Sequence, residues 1–179
     1  MVGAQAVAKH ESACGVWVGR LAALVLAHTP ASTTPASLTP LTALTRDGAA
    51  TDAATREAQA DAVMAHWFSE DFRQTQAATV ARWRRRLLSA PLSGLALHPV
   101  AVAATQTQPT TALTAPLPTL VITGALDTDA PPTEARQHLL RHPGAALVLL
   151  PDAGHLGMLE QPTLFQASVL PWLASLAQP

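Results

Sequence analysis

The stretch from 118 to 176 constrains the fold most. It holds two short apolar runs, "TLVITG" and "AALVLL", separated by "PPTEARQHLLRHPG" and followed by "PTLFQASVLPWLASL". Each apolar run is too short for a helix and lacks polar alternation, which is the pattern of a strand covered on both faces. The intervening segment has Pro near its first turn, Ala135, Leu139 and Leu140 expected inward, and Pro143-Gly144 as its stop; it reads as a helix. The last segment reads as a closing helix that Pro171 would kink. Strand, helix, strand, helix in that order implies a parallel α/β layer.

Upstream, "ALVLA" before a Thr-Pro turn reads as a further strand, within the apolar run 18–28. Residues 29–55, rich in Thr, Ala, Pro and Ser, read as a long irregular connection. In "REAQADAVMAHWFSEDF", Ala60, Val63, Met64, Trp67 and Phe68 share one helical face, and Ser69 is a candidate N-cap for the next turn or helix. In "TQAATVARWRRRLLSAP", Val80, Trp83 and Leu87 recur at helical spacing and the pattern stops before Pro91. Residues 91–108 are expected to hold another short helix and 109–116 to be a linker. No internal repeat is visible.

Composition excludes several classes of function. The 179 residues suffice for one domain with a real core, and a net charge of −1 offers no footprint for nucleic acid. The one basic run, Arg84 to Arg86 beside Trp83, reads as a solvated helix face. Cys14 is the only cysteine, so neither a disulfide framework nor a cysteine-based metal site is available. No apolar stretch reaches the roughly 18 residues of a membrane span. The N-terminus lacks a basic start followed by an apolar core, so the expectation is a cytoplasmic protein with no membrane partner.

In open parallel sheets, reactive groups gather at the carboxyl ends of strands. The strand ending in "TGALDTDAPP" presents Asp127 and Asp129, and the one ending in "PDAGHLGMLEQP" presents Asp152 and His155. Neighbouring parallel strands would set an acid beside a histidine. The carboxylate would accept a proton from one ring nitrogen, leaving the other as a base. Taken singly, Asp127 could be a cap for the helix at Pro131, and His155 a loop residue. Taken together, in the order acid then histidine, they favour catalysis.

These residues carry a resemblance. The stretch "PTLVITGALDTDAPPTEARQHLLRHPGAALVLLPDAGHLGMLEQPTLFQASVLPWL" resembles the C-terminal half of an α/β-hydrolase, and within that superfamily it is most similar to the 3-oxoadipate enol-lactonases of aromatic-compound catabolism. The pattern lies in Gly124, Asp127 and Pro131, and in Ala153, Gly154, His155, Glu160, Gln161 and Pro162. The resemblance implies Asp127 as triad acid and His155 as base. It extends to "ADAVMAHWFSEDFRQTQAATVARWRRRLLSAP", which is similar to the helical cap of enol-lactonases and puts Trp67 and Phe68 near the substrate pocket. By composition alone these two rings read as cap core. "VGRLAALVLAHTPAS" resembles the strand after the nucleophile helix. The implied organisation is a remnant of the nucleophile region and the next strand over 1–28, a linker and helical cap over 29–108, and a C-terminal layer carrying acid and histidine over 109–179.

The nucleophile elbow of the family, G-x-S-x-G, is absent. The nearest counterpart is "HESACG", with Ser12 at the serine position and His10 and Cys14 where glycines would stand. Cys14 fits the spacing less well and reads as an incidental or buried cysteine. Between Gly15 and "GRLAALVLA" there is almost no room for the helix that follows an elbow. The earlier strands and the loop donating an oxyanion-hole N–H have no counterpart, and losing one such donor costs about 2.7–4 kcal/mol of transition-state stabilisation. The expectation is therefore a partial α/β-hydrolase fold, a parallel sheet with a helical cap insertion, whose exposed sheet edge would favour self-association.

Two readings of function stand side by side. One is a serine-type hydrolase in which Ser12 attacks a small lactone or ester, His155 takes its proton and Asp127 orients His155. The other is a truncated, inactive remnant or interaction module. No cofactor or metal is expected, because the seven histidines are scattered and no H-x-x-x-H or H-E-x-x-H pattern occurs.

Overall fold

The computed structural model describes residues 22–31, 52–91 and 117–176. Among them a three-stranded parallel sheet in the order β1-β2-β3 is built from β1 (Leu24–Ala27), β2 (Thr119–Gly124) and β3 (Ala146–Leu150). The register pairs Leu26 with Val121 and Val121 with Leu147 on one face, and Ala27 with Ile122 and Ile122 with Val148 on the other. Side chains alternate across a strand, so each face needs its own cover. Leu26, Val121 and Leu147 pack with Ala135 and Leu139 of α4 (Pro132–Arg141). Val25, Ile122, Val148 and Leu150 pack with Phe165 and Val169 of the closing helix α6 (Pro162–Ser175). This two-sided cover explains why β2 is buried along its whole length.

The α4 helix departs from expectation on its inner face. Ala135 is buried and Leu139 half-buried, but Leu140 is 84% exposed and His138 is buried in its place. At about 100° per residue, positions 138 and 139 follow 135 on one face while 140 turns away. His138 is accommodated because its Nε2 lies 2.9 Å from the Thr29 carbonyl just past β1.

The second unit comprises α1 (Ala53–Trp67), α2 (Glu70–Thr75) and α3 (Ala77–Ser89). Helix α1 starts earlier than its apolar pattern suggests, because the Asp52 side chain accepts from Thr55 N and caps it. The expected connection over 29–55 therefore ends in helix; its stretch 32–51, like 92–116, lies outside the described residues. Ser69 caps α2 as expected, accepting from Phe72 N. Ala60, Val63, Met64, Phe68 and Leu87 form the core of this unit, with Val80 and Trp83 packed against it. The basic run is used within it: Arg84 reaches Asp61 on α1 at 2.6 Å, and the Arg86 guanidinium lies 5.3 Å from the Trp83 ring centroid. Leu156 and Leu159, which come after β3, pack on the same core and join it to the sheet. Leu159 belongs to α5 (Gly157–Glu160), a single turn that the sequence pattern does not announce. No helix among the described residues is long and apolar enough to cross a membrane.

Candidate active site

The carboxyl ends of all three strands converge. Asp127 sits three residues past Gly124, in a turn that its own carboxylate holds: Oδ1 accepts from Asp129 N at 2.9 Å and Ala130 N at 2.8 Å. The alternative role as a helix cap does not apply, since Pro131 occupies that position and Asp127 closes the turn before it. The Thr123 hydroxyl bridges the Ala130 carbonyl at 2.9 Å and Asp127 Oδ2 at 3.2 Å.

His155 approaches from the end of β3. Its Nδ1 lies 3.1 Å from both carboxylate oxygens of Asp127, and both side chains are buried. The turn that carries His155 fits tightly over the end of β2. A Cβ at Gly124 would lie 2.1 Å from the Ala153 carbonyl oxygen, so only glycine admits this crossing.

Burial opposes charge on the Asp127 carboxyl, but hydrogen bonds from His155 and His28, the His155 charge and the Ala130 N–H reverse that effect. The carboxyl is held well below its ordinary range. Burial likewise opposes the His155 imidazolium, yet the hydrogen bond and charge of Asp127, with a contribution from Asp129, raise His155 above its ordinary value. The two shifts have the signs of an ion pair that each partner strengthens in the other.

Sequence reasoning missed His28. It ends β1, donates its backbone N–H to the Ile122 carbonyl at 2.8 Å, and sets its Nδ1 3.1 Å from Asp127 Oδ2. The signal was present: His28 stands at the carboxyl end of "LVLA", the same kind of position as Asp127 and His155. The histidines scattered along the sequence are thus partly gathered in space. His28, Asp127 and His155 each offer one ligand atom within 4.8 Å of the others, a donor set suited to a first-row divalent ion. Against that use, the Asp127 oxygens already accept from two backbone N–H groups and two imidazoles. Metal-bound imidazoles also donate their second N–H to an acceptor, and the buried His28 Nε2 has no hydrogen-bond partner among the described residues.

The other expected site residues fall in three places. Asp129 turns to the cap, its Oδ1 lying 3.0 Å from His66 Nδ1. Asp152 is exposed in the turn after β3. Phe68 is 2% exposed in the core of the helical unit, stacked on Phe72 with centroids 5.3 Å apart, and Trp67 is half-buried beside that core. Ser12 and Cys14 lie outside the described residues.

Glu160 ties this site to the helical unit. Its carboxylate accepts from Gly154 N at 3.0 Å, Ser69 N at 3.1 Å and the Ser69 hydroxyl at 2.5 Å. The next residue, Gln161, donates its side-chain amide to the Pro151 carbonyl and closes the turn from the other side.

No family model and no curated protein matches the sequence. Solved structures do. The enol-lactonase from Burkholderia xenovorans LB400 superposes with a TM-score of 0.77 at 25% identity over 97% of this chain and 62% of that one. A hydrolase from Pseudomonas aeruginosa PA01 gives 0.76 at 30% identity, over 96% of this chain and 60% of that one. A thermophilic esterase from Thermogutta terrifontis gives 0.74 at 24% identity, over 98% and 63%. The chain spans about three fifths of the length of these structures. With a parallel sheet, helices on both faces and an acid–histidine pair at the strand ends, the chain has a partial α/β-hydrolase fold.

Proposed function

We propose that this chain carries the acid–base machinery of a serine-type hydrolase acting on small carboxylic esters or enol-lactones. The observation that carries the reading is His155 Nδ1 at 3.1 Å from both oxygens of the buried Asp127. That contact fixes the Nδ1–H tautomer and leaves Nε2 as the base. In the proposed reaction the Ser12 hydroxyl attacks the substrate carbonyl while His155 Nε2 takes its proton. The tetrahedral intermediate collapses, the C–O bond to the leaving oxygen breaks, and His155 returns the proton to that oxygen. Water then attacks the acyl-serine, giving its proton to His155, and the released serine oxygen recovers it. In a lactone the leaving oxygen stays tethered, so the product is one open-chain acid. Trp67, half-buried at the end of α1, is the proposed substrate-facing ring of the cap, and Phe68 supports it from the core. The likeness to an enol-lactonase at 25% identity supports the lactone choice.

A second reading keeps the fold and the pair without turnover. The replacement of the elbow glycines around Ser12 by His10 and Cys14 favours it. Hydrolysis of an enol-lactone and of p-nitrophenyl acetate by the purified chain, beside His155→Ala and Ser12→Ala, decides between them. Activity lost in both variants supports the triad with Ser12. A folded parent with no turnover supports the second reading.

A further inference from the structure

We propose that His28 is a second positioning residue for the Asp127–His155 pair: as its Nδ1–H tautomer it occupies one carboxylate oxygen and thereby limits how strongly Asp127 acts on His155. The inference rests on the reading of His155 as the base.

Three features fix His28 in this role. Its Nδ1 lies 3.1 Å from Asp127 Oδ2, and its side chain is 1% exposed. Its Nε2 is buried without a partner among the described residues, so a proton there would meet no acceptor among them, whereas on Nδ1 it faces the carboxylate. The ring is also wedged: a Cβ at Gly157 would lie 2.7 Å from His28 Cε1 and 2.8 Å from Nε2. The edge of the imidazole therefore packs directly against the backbone of Gly157.

The backbone is held in support of this placement. His28 has φ of 49°, in the left-handed region where non-glycine residues are uncommon. Such a conformation persists where its surroundings over-determine it. The His28 N–H bonds to the Ile122 carbonyl, the Thr29 hydroxyl donates to the Ala27 carbonyl at 3.1 Å, and His138 holds the Thr29 carbonyl.

The consequence is electrostatic. A donor on Oδ2 stabilises the carboxylate and draws negative charge away from His155, whose ring stands at 79° to that of His28 with centroids 6.0 Å apart. The other ionisable groups of the site are Asp129, paired with His66 from α1, and Glu160 on α5, paired with Ser69 and Gly154. The elements covering the sheet from α6 contribute the apolar Phe165 and Val169. Among the described residues, His28 is thus the one donor of a third strand that acts on the acid directly.

The test is an NMR titration of labelled imidazoles in the full chain, in the parent, His28→Leu and His28→Asn. The parent is expected to show His28 protonated at Nδ1 and bare at Nε2. Leucine removes the donor, and the His155 midpoint should move upward. Asparagine tolerates the left-handed region and can bring its amide N–H close to the position of Nδ1, so it should return the midpoint to the parent value. A His155 midpoint unmoved in a folded His28→Leu protein overturns the proposal. So does a His28 ring carrying its proton on Nε2, which is read in the parent even if the leucine variant does not fold. Stoichiometric Zn²⁺ displacing both Nδ1 protons would also overturn it, by making the cluster a metal site. The titration needs neither substrate nor Ser12, so an inactive parent with the expected shifts rejects only the hydrolase reading. An active parent with an unmoved midpoint rejects only the role of His28.

Discussion

Leu156 donates its backbone N–H to the Trp67 carbonyl at 2.9 Å, fastening the residue after His155 to the last turn of α1. The cap and the histidine turn are joined again through Glu160 to Ser69, and the cap and the Asp127 turn through His66 to Asp129. The turn that carries His155 is therefore held from both sides: by the sheet through Asp127, and by the cap through the Trp67 carbonyl and the Glu160–Ser69 bonds.

Asp127→Asn tests the pair itself. Asparagine cannot hold an imidazolium, and hydrolysis should fall by roughly four orders of magnitude. The pH profile should change with it. His155 must be neutral to act as base, and Asp127 raises it, so the acid limb of kcat/KM should lie above the ordinary imidazole value of about 6.5 in the parent. In Asp127→Asn that limb should move down. Stability has the same signs. The contribution of the lowered Asp127 is complete above the unfolded carboxyl value of about 3.9 and is lost as pH falls below it. That of the raised His155 is complete below about 6.5 and is lost as pH rises through its folded value. Urea unfolding from pH 3 to 9 should show both limbs in the parent and neither from this pair in the variant.

Glu160→Ala removes the acceptor shared by Gly154 N, Ser69 N and the Ser69 hydroxyl. Hydrogen bonds to a charged group are worth about 1.5–3 kcal/mol each, though not additively. A loss of at least about 2 kcal/mol in urea unfolding is expected. Amide exchange should quicken at Gly154 and Ser69 before it does in β2. Glu160→Gln keeps a carbonyl oxygen and should retain part of the protection.

Gly124→Ala drives a methyl into the Ala153 and Gly154 carbonyl oxygens, 2.1 and 2.4 Å from the ideal Cβ. Those atoms are backbone and cannot swing aside. A destabilisation of about 2 kcal/mol or more is expected in thermal or urea unfolding. In the folded fraction, the His155 imidazole resonances should shift away from their Asp127-bound positions.

Leu140 and His138 make a paired comparison. Leu140→Gln at an 84% exposed site should change stability by less than about 0.5 kcal/mol. His138→Ala removes a buried ring and leaves the Thr29 carbonyl without its partner, costing about 1–3 kcal/mol. Burial, aided by Arg141 and His142, lowers His138 despite the Thr29 bond. Its folded value is below the unfolded one, so stability should fall as pH drops below about 6.5, and this slope should vanish in the alanine variant.

The strands were legible because burial on both faces leaves an unbroken apolar run, as in "TLVITG". Asp127 and His155 were legible because they stand at the ends of such runs. His28 stands there too, but without an acid beside it in sequence it looked like any residue before a Thr-Pro turn. Its role depends on the pairing of β1 with β2, which no local pattern records. Leu140 misled for the reverse reason: it is apolar, but the helix carries it past the inner face that His138 shares. The short α5 was invisible because one turn has no periodicity to read.

Each of the three site residues comes from a different strand end, and His28 and Asp127 stand 99 positions apart in the chain. Local structure alone cannot assemble such a cluster; a long loop must close before β1 finds β2, at an entropic cost that the first turn of any helix does not meet. The hydrogen bond between His28 and Asp127 therefore reports that β1 has paired with β2. The carboxylate bound by both His28 and His155 exists only in molecules whose three strand ends have come together.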